Sequence, residues 1–175
     1  MSWLDEVGNL LKQYTSSGAA AAPALDVHAH FDQVAQAAPS SAIAEGLAAA
    51  FRSDRTPAFG QLLSTLFTNS NADQKAGVLN QLISSVNPAT LTQILSGTGL
   101  TGLLGGAAAQ LSPDQAQRVS PEVVQQLATH AEKANPSIVD TLSSFYAQHG
   151  ALVKTLGGTV LTVVLAKMAE RQKQA

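Results

Sequence analysis

A chain of 175 residues suits one domain, and a domain of that size buries roughly 70% of its unfolded surface. With only 13% of residues charged and a net charge of −2, the composition argues against a nucleic-acid partner held by electrostatics. The absence of cysteine removes disulfide staples, thiolate metal sites and a thiol nucleophile, and it fits a reducing, cytoplasmic compartment.

The first element is the sharpest. In MSWLDEVGNLLKQY, residues Trp3, Leu4, Val7, Leu10, Leu11 and Tyr14 share one helical face, while Asp5, Glu6, Asn9, Lys12 and Gln13 share the other. Ser2 can cap this helix, the two acids sit near its positive end, and Lys12 sits near its negative end. Acidic residues stand where a secretion signal carries lysine or arginine, so no signal peptide is expected. An isolated helix this short is marginal in water, so its apolar face needs a surface. That surface is its own domain, a second copy or partner protein, or a membrane. Two acids against one lysine oppose anionic headgroups, and docking on protein is expected, with Trp3 and Leu11 as anchors. The small residues that follow read as a flexible linker. The expected layout is a docking helix over 1–14, a linker over 15–25 and a helical domain over 26–175.

Next comes DVHAHFD, residues 26–32. Its His-x-His pair flanked by Asp26 and Asp32 resembles the first metal-ligand motif of the amidohydrolase superfamily. That resemblance implies a (β/α)8 barrel, which takes about 250 residues, and further histidines and a lysine converging on the metal. Here the other histidines are His130 and His149 only, and no alternating strand–helix pattern is present. The residues themselves read as a helix capped by Asp26, with Val27, Phe31, Val34 and Ala38 as its buried stripe. His28 and His30 then point about 200° apart and cannot chelate one ion together, while His28 and Asp32 are spaced for a surface hydrogen bond. No metal and no cofactor is expected; a metal-dependent hydrolase using His28 and His30 is the enzymatic alternative.

A helix over about 41–52 follows, burying Ile43, Leu47 and Phe51. Beyond it, Thr56-Pro57, Asn87-Pro88, Ser112-Pro113, Ser120-Pro121 and Asn135-Pro136 each place a capping residue before a proline, the signature of a helix start. Asn71 with Gln74, and Ser112 with Gln115, add capping-box spacing. Between these marks lie four apolar faces: Phe59, Leu62, Leu63, Leu66 and Phe67; Leu79, Leu82, Ile83 and Val86; Val123, Val124, Leu127 and Ala131; then Ile138, Val139, Leu142, Phe145 and Tyr146. GTGLTG, residues 97–102, matches the dinucleotide pattern literally but follows a helical segment rather than a strand, so it reads as a glycine-rich hinge. His130 reads as a solvated helix end, and His149-Gly150 as a helix stop. Last, residues 152–168 are apolar nearly all round, which suits a helix central to a core, with a membrane-inserted segment or a strand as alternatives.

The opening MSWLDEVGNLLKQY, the glycine-rich middle and the short helical segments resemble the YidB-like family of uncharacterised bacterial proteins. That resemblance covers the first dozen residues best and implies a bacterial, helical, intracellular protein. The expected fold is all-α: a single compact bundle of seven to nine short helices, an apolar C-terminal helix at its centre, and an N-terminal amphipathic helix on a linker. The expected role is a non-catalytic interaction or assembly protein. It docks through Trp3, Leu4, Val7, Leu10, Leu11 and Tyr14 on protein, a second copy of itself included. The alternative is a peripheral membrane protein anchored by 1–14 or 152–168.

Overall fold

The computed structural model describes residues 3–16, 26–98, 102 and 110–174. Among them run α1 (Trp3–Ser16), α2 (Val27–Ala37), α3 (Ser40–Phe51), α4 (Phe59–Asn69), α5 (Ala72–Ser85), α6 (Pro88–Ser96), α7 (Pro113–Gln117), α8 (Pro121–Ala134), α9 (Ile138–Ala147), α10 (Gly150–Val153) and α11 (Gly158–Gln174). No strand occurs among the described residues, and the fold is all-α. Eleven helices exceed the seven to nine expected because α7 and α10 are single turns of five and four residues. Elements that short carry no apolar period.

The helices sort into two compact units, one from Met1–Pro57 with Ser143–Ala175 and the other from Ala58–Leu142. In the first, α11 packs against α3, α1 and α2. It buries Val160, Leu161, Val163, Val164, Leu165 and Met168, as expected of a core helix. The expected continuous segment over 152–168 is nevertheless broken. Gly157 adopts φ 89°, a conformation open to glycine and costly for other residues, and the chain bends by 119° between Gly150–Leu156 and Gly158–Arg171. Leu156, ahead of that bend, is only half-buried. α3 meets α11 at Gly46, where an added Cβ would lie 2.6 Å from Met168 Cγ and 3.1 Å from the Val164 carbonyl oxygen. Glycine there sets how closely the two helices approach. Among the described residues, the partly exposed ion pairs Lys154–Asp32, Lys167–Glu170 and Arg171–Glu45 rim this unit; pairs of this kind are worth up to about 1 kcal/mol each.

The second unit is organised by α8, which packs against α4, α5 and α6. Its apolar stripe of Val123, Val124, Leu127 and Ala131 is buried, as are Phe59, Leu62, Leu63, Leu66 and Phe67 of α4. Leu79 and Leu82 of α5 are buried, with Val86 behind them, while Ile83 is half-buried. The sequence places Asn80 between the apolar positions of α5, and its side chain acts as a staple. Its Oδ1 accepts from the Leu111 amide at 2.7 Å and its Nδ2 donates to the Leu111 carbonyl at 3.3 Å. Both backbone groups of the returning chain are thus satisfied where α7 begins to pack on α5.

Most of the start signals operate as expected. Asn71 with Gln74 and Ser112 with Gln115 form reciprocal capping boxes, and Asn87 accepts from the Thr90 amide ahead of Pro88. Ser120 precedes α8, but its side chain makes no capping bond. Two signals fail. Thr56 does not cap α4, which starts at Phe59 behind Ala58. Its hydroxyl instead donates to the carbonyls of Ala50 and Ser53, closing the end of α3. Asn135 ends α8 as its C-cap, and its Oδ1 accepts from the Ser137 amide in a turn that delays α9 to Ile138. A side-chain oxygen that can cap a following helix can equally bind backbone in a turn. The stop at His149-Gly150 also shifts: α9 ends at Ala147, and Gly150 opens α10 with a backbone that is not left-handed. Of GTGLTG, Gly97 closes helix α6, and Gly99, Leu100 and Thr101 lie outside the described residues.

Candidate docking site of the N-terminal helix

α1 forms where its sequence places apolar residues at i, i+4 and i+7. Val7, Leu11 and Tyr14 are buried, Leu10 is half-buried, and Asp5, Asn9 and Lys12 face solvent. Ser2 and the side chains of Trp3 and Leu4 lie outside the described residues. The buried face lies against α11 and α2. Leu11 is wholly excluded from solvent and Tyr14 is 2% exposed. Burial of two such side chains contributes roughly 1.5–3 kcal/mol each before ordering costs. An α1 face that is marginal in water therefore has a partner surface within its own chain.

The seat on α2 starts from the sequence that drew attention as a metal motif. Asp26 caps α2, its Oδ1 accepting from the Ala29 amide at 3.2 Å. Val27, Phe31 and Val34 then fall on the buried side, with Ala38 just beyond the helix also buried. That registration turns His28 outward and leaves His30 half-buried beside α1. The hydroxyl of Tyr14 lies 2.8 Å from Nδ1 of His30, and the rings meet edge to face with centroids 5.9 Å apart. When that hydroxyl donates, the imidazole is neutral and carries its proton on Nε2. Burial, and then the nearby charge of Asp26, hold the Tyr14 hydroxyl above its ordinary value of 10.0, so it stays protonated and able to donate.

The two histidines thus do different things, and among the described residues no group of three or more His, Cys, Asp or Glu side chains is placed to hold a metal ion. Asp32 is not a partner of His28 as its spacing suggested; it pairs with Lys154 at 2.9 Å. Neither Tyr14–His30 nor Asp32–Lys154 belongs to any motif. The available signal was a tyrosine ending one apolar stripe and a histidine flanking another.

Among the described residues, a surface groove opens in each unit. One, of about 500 Å³, runs between α1 and α2 and is lined by Val7, Gln33, Gln36 and Ala37. The other, of about 330 Å³, lies between α6 and α8 and includes Gln93, Gln126 and His130, so His130 borders a groove as well as solvent. No single helix among the described residues is long and apolar enough to cross a membrane. No family model, curated protein or solved structure matches this chain.

Proposed function

We propose that this chain is a non-catalytic interaction or assembly protein that works through its N-terminal helix. The observation that carries the reading is the burial of Val7, Leu11 and Tyr14 against α2 and α11. The most amphipathic stretch of the sequence spends its apolar face on a helical protein surface, in the manner of helix-in-groove recognition. The partner is protein. No cofactor, metal or nucleic acid enters the proposal, and His30, the half-buried member of the His-x-His pair, is engaged by Tyr14. A bacterial, cytoplasmic setting, implied by the YidB-like opening, is part of the same proposal.

Trp3 is the sole tryptophan and reports directly on α1. Its emission is expected to be blue-shifted without lipid and to move red when Leu11→Ala loosens the helix. A solvent-exposed spectrum that shifts only when vesicles are added would overturn the reading in favour of the membrane alternative. That second reading has one observation behind it: Gly150–Leu156 and Gly158–Arg171 together reach the length and apolar composition of a broken span. Against it stands the burial of Val160, Leu161 and Val164 inside the first unit.

A further inference from the structure

We draw no further inference here: the strongest candidate, the open groove of about 330 Å³ between α6 and α8 lined by Thr90, Gln93, Ile94, Gln126 and His130, carries none because nothing in the structure shows what covers it.

Discussion

Among the described residues, each compact unit has a crossing where an added Cβ on a glycine would clash, and the two crossings differ in what the glycine faces. At Gly46 an added Cβ meets the Met168 side chain first and the Val164 carbonyl next. At Gly60 of α4 it would lie 2.8 Å from the Gln125 carbonyl oxygen and 2.8 Å from Thr129 Oγ1, both on α8. A methionine is unbranched and can re-route, whereas a carbonyl held in a helix moves only with its helix. The same residue type thus marks an adjustable crossing in one unit and a rigid one in the other. The units also differ in how their cores are written. The second uses amphipathic helices with explicit caps, and the first wraps a helix that is apolar on most sides.

The largest expected effect probes that wrapped helix. Leu161 is fully buried at the centre of the first unit, so Leu161→Asp should cost several kcal/mol, because an unpaired charge is forced into an apolar interior. Loss of soluble, cooperatively melting protein is the expected result, and an unchanged denaturation midpoint would remove α11 from the core. Next in size is the contrast between the crossings. Gly60→Ala should destabilise by about 1–3 kcal/mol through overpacking against backbone. Gly46→Ala should cost less, since Met168 can yield and alanine recovers roughly 1 kcal/mol of helix propensity in mid-helix. Urea midpoints of the two variants decide it, and equal losses would mean that the backbone at Val164 is the harder obstacle.

Smaller effects are expected at the α1 seat. Tyr14→Phe removes one hydrogen bond, worth about 0.5–1.5 kcal/mol net. Because the folded Tyr14 value lies above the unfolded one, the folded state binds more protons between the two. The stability this contributes is fully present below about pH 10 and is lost as pH rises through the folded value. A stability-against-pH curve measured on both proteins should fall more steeply above pH 10 in the native chain than in Tyr14→Phe; parallel curves would show that Tyr14 is not linked to docking. The smallest effect belongs to the histidines. His28→Ala, at an exposed position, should stay within about ±0.5 kcal/mol. His30→Ala should instead weaken docking by an amount near that of Tyr14→Phe, seen as a red shift of Trp3 emission. Equal effects from the two histidines would erase the distinction drawn between them.

What the sequence determined by itself is local. Spacing of apolar residues suffices to place α4 and α8, and the chemistry of Asn71, Asn87 and Ser112 starts α5, α6 and α7, because a cap needs only residues within three positions and a helical stripe repeats within one turn. The apolar face of α1 is legible for the same reason. Thr56 and Asn135 were misread because a capping oxygen has two local uses, and only the surrounding fold selects one. The break at Gly157 went unseen because two adjacent glycines in an apolar run are compatible with a continuous helix. Beyond the bend, α11 seats closely against α2, where a Cβ on Gly158 would press to 3.3 Å of Val27. Tyr14 with His30, Asp32 with Lys154 and Asn80 with Leu111 were decided by tertiary structure alone. Their partners stand 16, 122 and 31 residues apart, and over such separations only the packing of whole helices determines which side chains meet.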